Sequence, residues 1–192
     1  PYSEAIDFFN KASRFRNLEV YGIAVHIGSQ LTDLQPYKRT FIRIAELVAT
    51  LKNSGHKIKR LDLGGGIGIA YSKETKLIDL EEYASTVKNI LGHLDCEFEF
   101  EPGRFIVGNA GLFVCSVIYL KKVENRNFLI IDGAMNDLIR PAMYDAHHEV
   151  IPVKKNMGSL KIKVDIVGPV CETADTFSRD TSFSASSEGD LI

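Results

Sequence analysis

Five places in the chain hold residue types that reactions need. Gly64-Gly65-Gly66-Ile67-Gly68 follows a strand-like run and puts bare backbone at its end. Glycines let successive N–H groups converge on an anion, so the run reads as a cradle for one phosphate. It reads equally as a tight strand-to-loop turn. A nucleoside-triphosphate loop would need Gly-Lys-Ser/Thr next, and the dinucleotide spacing is absent too. Glu101-Pro102-Gly103-Arg104 offers an acid and a guanidinium at another strand end, or a surface salt bridge at a turn. His26, followed by Gly28 and Ser29, ends a third strand, either as a working imidazole or as a structural one. Cys171-Glu172 follows Gly168-Pro169-Val170. A free thiol, with an ordinary pKa of about 8.5, is mostly protonated at neutral pH and can give up its proton, so Cys171 is a candidate proton donor; a buried apolar cysteine is the alternative. Arg140, in Leu138-Ile139-Arg140-Pro141, is a candidate carboxylate clamp, because guanidinium binds carboxylates bidentately. His147-His148-Glu149 does not predict a metal, because adjacent side chains on an extended segment point apart. No Ser/His/Asp triad spacing is legible.

These residues need elements to position them. Residues 3–15 predict an amphipathic helix with Ser3 as its cap. Leu18 to Ile27 alternates with period two and predicts a strand. Large Tyr21, Ile23, Val25 and Ile27 occupy one face, and small Gly22 and Ala24, with His26, the other. That pattern suits a barrel strand with helices outside. A helix from about Pro36 to Asn53 has Phe41, Ile44, Ala45, Val48 and Leu51 as its buried stripe, and Gly55 just past its end. Strands are predicted over 58–63 and 96–101, with a helix over 80–93 between them. Alternation of helix and strand implies parallel strands with helices outside. After Gly103 the pattern turns to consecutive strands, over 112–123, 126–131 and 160–167. The predicted fold is therefore α/β: the C-terminal half of a (β/α)8 TIM-type barrel over residues 1–108, then part of a mostly β domain over 109–192. The Ser-rich stretch Thr181–Gly189 reads as a loose or truncated end.

Composition narrows the function. The 192 residues carry 23 Lys and Arg against 25 Asp and Glu, a formal charge of −2. Nucleic acid is not an expected partner, because neutralising phosphates takes a concentrated basic face. The short run Lys154-Lys155 reads as a solvated loop. No stretch approaches the roughly 20 apolar residues of a membrane helix, so no membrane partner is expected. Three cysteines, Cys96, Cys115 and Cys171, fit no zinc or redox spacing. A reducing cytoplasm is the expected setting, or a plastid in a plant. The opening Pro1-Tyr2-Ser3-Glu4 is neither an initiating Met nor a signal peptide, and reads as a cut edge.

Five motifs together resemble the diaminopimelate decarboxylase family, of the alanine-racemase-like, fold-type III class of pyridoxal-phosphate enzymes. They are His26-Ile27-Gly28-Ser29-Gln30, Asp62 to Gly66, Glu101 to Arg104, Asp132-Gly133-Ala134-Met135-Asn136-Asp137-Leu138-Ile139-Arg140-Pro141, and Gly168 to Glu172, in that order. The resemblance spans about residues 20–175. It implies decarboxylation of meso-2,6-diaminopimelate to L-lysine and CO2 with pyridoxal 5'-phosphate as the cofactor. Glu101 matches the acid that keeps the cofactor's ring nitrogen protonated, and His26 the imidazole stacked on the ring. Ser29, Gly64, Gly65, Gly66 and Arg104, with Pro102 and Gly103 beside them, match phosphate-side positions. Cys171 matches the acid that returns a proton to Cα. Arg104, Arg140, Tyr144 and Glu172 match substrate positions, where a distal carboxylate wants arginine and a distal ammonium an acid. Cys171 and Glu172 are implied to reach the partner's site in a homodimer.

The match departs from the family in places. The family's Schiff-base lysine precedes every motif here, and its late substrate tyrosine follows them; the chain reads as the middle of a protein about twice as long, inactive by itself. Lys38, Lys57 and Lys59 read as surface residues. Thr173-Ala174-Asp175 stands where the family usually has Ser-Gly-Asp. Other expectations are a decarboxylase for carboxynorspermidine or another basic amino acid, and a non-catalytic homologue that binds pyridoxal phosphate.

Overall fold

The alternating run after Leu18 forms β1 (Gly22–Ala24), followed by β2 (Arg60–Asp62) and β3 (Glu97–Glu99). A computed structural model describes residues 2–154 and 160–192, so Pro1 and Lys155 lie outside the described residues. The three strands pair in parallel in the order β1-β2-β3, with Ile23, Leu61 and Phe98 in one row and Ala24, Asp62 and Glu99 in the next. The labelled strands are shorter than the predicted ones, yet ladder hydrogen bonds run past them: Val25 N–H to Asp62 O, Leu63 N–H to Glu99 O and Glu101 N–H to Gly64 O.

The helices cover one face of this sheet. They are α1 (Ala5–Ala12), α2 (Gln35–Asn53) and α3 (Leu80–Leu91). Val48, Leu51, Leu61 and Leu91 are fully buried, and Phe41, Ile44, Leu47, Leu63, Tyr83 and Val87 pack with them. Each such side chain contributes roughly 1.5–3 kcal/mol relative to exposure. Ile23, Val25 and Ile27 face this core, whereas Ala24 and His26 on the opposite face are exposed. Pro36 sits in the first turn of α2. Gly55 follows its end at φ +89°, a left-handed backbone that suits glycine. Asp79 caps α3 by accepting the Glu81 N–H at 2.9 Å. Ser3 does not cap α1: it lies in a single 3-10 turn (Tyr2–Glu4), and the cap residue Glu4 makes no side-chain bond.

The chain divides into two compact units, Pro1–Gly111 and Leu112–Ile192. The short α4 (Gly103–Val107) belongs to the first. The second holds a four-stranded sheet in chain order: β4 (Val117–Val123), β5 (Arg126–Ile131), β6 (Lys161–Val167) and β7 (Thr176–Ser184). β4 and β5 form a hairpin, β5 and β6 run parallel, and β6 and β7 run antiparallel. The long β5–β6 connection carries α5 (Arg140–Tyr144). Cys115, Val117, Leu129, Ile131, Val164, Ile166, Phe183 and Ile192 make the core.

The loose tail expected from Thr181 onward is corrected here. Thr181–Ser184 completes β7 opposite Val164 to Lys161. Beyond it, Cys115 and Ile192 exchange both backbone hydrogen bonds at 2.9 Å. Serine content hid a strand whose Phe183 faces the core.

Candidate active site

In the first unit, three loops leave the C-terminal ends of the parallel strands and touch one another through glycine. A Cβ on Gly64 would lie 2.2 Å from Val25 O, on Gly65 2.0 Å from Glu101 O, and on Gly66 2.2 Å from Gly28 O. Gly64 and Gly66 also adopt φ +67° and +91°. The glycines are thus demanded by protein backbone: they bring the loops after β1 and β3 against the loop after β2. Gly64 spends its N–H on Asp62 Oδ1 at 2.8 Å. The Gly66 N–H meets no acceptor among the described residues.

That contact gathers residues far apart in sequence. Arg104 donates from Nη2 to Ser29 Oγ at 2.9 Å and from Nη1 to Gln30 Oε1 at 3.0 Å. Gln30 itself stands at φ +60°, donates to Ile69 O at 2.6 Å and accepts the Ile69 N–H at 3.2 Å. It holds the guanidinium by gripping the loop after β2. Tyr37, buried under the same loop, donates to Gly65 O at 3.0 Å. His26 is exposed, its Nδ1 3.5 Å from the Gly65 nitrogen. Glu101 is exposed, and its carboxylate has no ion pair or hydrogen bond among the described residues. Pro102 and Gly103 start the turn into α4. A guanidinium, a hydroxyl and an open N–H can hold an anion; a free carboxylate can take a ring N–H, and an exposed imidazole face a flat ring.

The other predicted residues lie in the second unit. Arg140 and Tyr144 occupy the two ends of α5, the guanidinium 5.3 Å from the ring centroid. Arg140 Nε is buried without a partner, and no acid pairs with Arg140 among the described residues. Burial first, then the Arg140 charge, hold the neighbouring His148 below the usual imidazole range. Cys171 is exposed, so the buried-cysteine alternative fails for it; Cys115 is the buried thiol. Glu172 is exposed too, accepting the Thr173 hydroxyl at 3.0 Å and the Ala174 N–H at 3.4 Å. These bonds, the hydroxyl's foremost, lower its carboxyl below the usual range. Among the described residues no cluster of three His, Cys, Asp or Glu side chains could hold a metal, and no helix is long and apolar enough to cross a membrane.

Sequence reading passed over Gln30, Tyr37 and Asp175. Gln30 and Asp175 lay inside quoted or compared motifs, but nothing local shows that a side chain will bond a backbone about 40 residues away.

Comparison with known proteins shows the family. A family model described as "Pyridoxal-dependent decarboxylase, C-terminal sheet domain" matches residues 2–192. The chain is 44% identical over 192 residues to a diaminopimelate decarboxylase of Neisseria meningitidis serogroup A, and 40% identical over 190 residues to one of Zymomonas mobilis. It covers 100% and 98% of itself in these matches but 46% and 45% of the relatives, so it spans about half their length. The crystal structure of diaminopimelate decarboxylase from Helicobacter pylori complexed with L-lysine superposes with a TM-score of 0.92 at 37% identity, over 99% of this chain and 47% of that one. The mixed α/β unit, the β-sheet unit and the match along nearly the whole chain lead to one statement: the chain belongs to the pyridoxal-dependent decarboxylase family.

Proposed function

We propose that the protein carrying this chain decarboxylates meso-2,6-diaminopimelate to L-lysine and CO2, with pyridoxal 5'-phosphate as its cofactor. The observation that carries the substrate is Arg140. It is a guanidinium stacked on Tyr144, with one buried nitrogen unpartnered and no acid of the described chain beside it. Such a group suits an incoming carboxylate held bidentately. A substrate lacking a distal carboxylate gives Arg140 no partner, which disfavours carboxynorspermidine and simple basic amino acids.

The residues present fit the cofactor. Arg104, Ser29 and the open Gly66 N–H would hold its phosphate, Glu101 would face its ring nitrogen, and His26 would lie against the ring. Pyridoxal phosphate, when bound, supplies an electron sink for the pair left at Cα as CO2 departs. The chain's own groups do the rest. Glu101 keeps a proton at the ring nitrogen. Cys171 Sγ–H returns a proton to Cα. Arg140 and Tyr144 grip the distal carboxylate, Glu172 takes the distal ammonium, and Arg104 serves the substrate side as well as the phosphate.

The fold reading follows the same line: residues 1–108 as the C-terminal half of a (β/α)8 barrel, and 109–192 as part of the C-terminal β domain. Two copies pair so that Cys171 and Glu172 of one serve the cradle of the other. The exposed thiol and carboxylate, and exposed Met143, Tyr144 and Leu160, are what such pairing would cover. Three free cysteines suit a reducing cytoplasm.

The test is lysine release from diaminopimelate by the full-length, cofactor-loaded protein. Arg140→Ala loses a charge-assisted pair of about 1.5–3 kcal/mol, roughly a tenfold to hundredfold rise in KM. A loaded protein that forms no lysine, or an Arg140→Ala variant with unchanged KM, refutes the assignment.

A further inference from the structure

Asp175 is 2% exposed and, among the described residues, has no cation beside it. Its two carboxylate oxygens accept two backbone N–H groups instead: Oδ1 from Met135 at 2.7 Å and Oδ2 from Val170 at 2.8 Å. Its backbone closes the same loop, with its N–H donating to Glu172 O and its carbonyl accepting the Gly168 N–H, both at 3.0 Å. Gly168 leaves room for the carboxylate, because a Cβ there would stand 2.3 Å from one of its oxygens. The stretch from Gly168 to Asp175, with Cys171 and Glu172 at its crest, is therefore wrapped around one buried side chain.

The Met135 bond reaches outside that loop. Met135 sits in a turn fixed by Ala134 N–H to Asp137 Oδ2 at 2.9 Å and Asp137 N–H to Ala134 O at 2.9 Å. The turn leads directly into α5, which carries Arg140 and Tyr144. We infer that Asp175 is a positioning residue that sets the Cys171–Glu172 loop against the segment bearing Arg140 and Tyr144. Resting on the decarboxylase reading above, it keeps the proton donor and the distal-end contacts in register; a buried carboxylate satisfied only by backbone donors serves as a clamp between segments.

The test uses the full-length protein. Asp175→Asn keeps the shape but turns one acceptor into a donor that faces an N–H. The expected result is a kcat lowered about tenfold or more with a raised KM for diaminopimelate, since small misplacements carry such costs, while cofactor absorbance is retained. Alkylation of Cys171 by iodoacetamide needs no turnover, and its rate is expected to change by at least about threefold as the loop loosens. Asp165→Asn is the control. It alters another buried carboxylate of the same unit, bonded to Arg126 and the Asp180 N–H. In that variant kinetics and alkylation stay within about twofold where the protein is folded.

Amide exchange in the unaltered protein covers a variant that does not fold. The Met135 and Val170 N–H groups are expected to exchange at least about tenfold more slowly than those of Asn136 and Cys171. Folded Asp175→Asn protein with unchanged kinetics and alkylation overturns the inference, as does exchange at Met135 and Val170 as fast as at those neighbours. Loss of lysine formation in the unaltered protein would instead sink the decarboxylase reading, with exchange and alkylation still deciding the clamp.

Discussion

Gly65 shows what one residue does at this site. Its φ is not left-handed, so the reason for glycine there is space: a Cβ would stand 2.0 Å from Glu101 O and 2.9 Å from the carbonyl carbon, both backbone. Backbone cannot swing aside as a side-chain tip can, so the loops after β2 and β3 must part. Gly65→Ala is expected to cost about 3 kcal/mol or more in urea unfolding and to abolish cofactor loading. Gly92 is the comparison. It follows α3 with ordinary helical dihedrals, and its nearest contact would be a lysine carbon at 3.7 Å. Gly92→Ala is expected to change stability by no more than about 1 kcal/mol, with loading unaffected. Equal effects of the two would mean that the loop contact does not organise the cradle. The glycine run alone was compatible with either a phosphate cradle or a tight turn. The choice was illegible in sequence because the clash partners, Val25, Gly28 and Glu101, lie far from residues 64–66 in the chain.

The elements that carry these loops were largely legible. Period-two and period-3.6 patterns located β1, β2, β3, α2 and α3, because a sheet covered by helices on one face repeats its apolar residues at those periods. β7 was missed because Thr176–Ser184 alternates weakly and is rich in serine and threonine; only its pairing with β6 makes it a strand. The strongest link from element to site is aromatic. Tyr37 of α2 and Tyr83 of α3 meet edge-on at 5.2 Å, and Tyr37 donates to Gly65 O. Burial pushes the Tyr37 hydroxyl up to about 12, and burial followed by the Tyr37 charge pushes Tyr83 higher still. An unfolded tyrosine ionises near pH 10. Both groups then stay neutral in the folded protein while the unfolded chain loses their protons. Their contribution to stability is complete below pH 10 and is lost as pH climbs from 10 toward 12. Urea midpoints at pH 9 and pH 11 check this: the drop should be clearly smaller in a Tyr37→Phe/Tyr83→Phe variant, which also forfeits about 1 kcal/mol at neutral pH with the Gly65 bond. Parallel drops in the two proteins would show that these hydroxyls do not govern the alkaline loss.

At the scale of the whole molecule, the candidate residues fall into two sets. His26, Ser29, Gly64–Gly66, Glu101 and Arg104 belong to the first unit; Arg140, Tyr144, Cys171 and Glu172 belong to the second. The motifs made both sets visible in sequence, since each holds residue types that acid–base or anion chemistry needs. What the motifs could not supply were the groups that merely hold others, Gln30 and Asp175, whose partners Ile69 and Met135 sit far along the chain. The proposed pairing of two copies gives the two sets a strict relation. If the second unit of one subunit completes the cradle of the other, a defect in Glu101 and a defect in Cys171 fall on the same site when they sit on different chains. Glu101→Ala and Cys171→Ala full-length proteins should each be nearly inactive alone. Expressed together in equal amounts, half of the dimers are mixed, and in each of these one site receives both defects while the other receives neither. The mixture should then recover about a quarter of the unaltered activity, as two-fold symmetry requires. Sites completed within one chain recover nothing, because every site then keeps one defect; activity no higher than that of the separate variants would therefore exclude the shared arrangement.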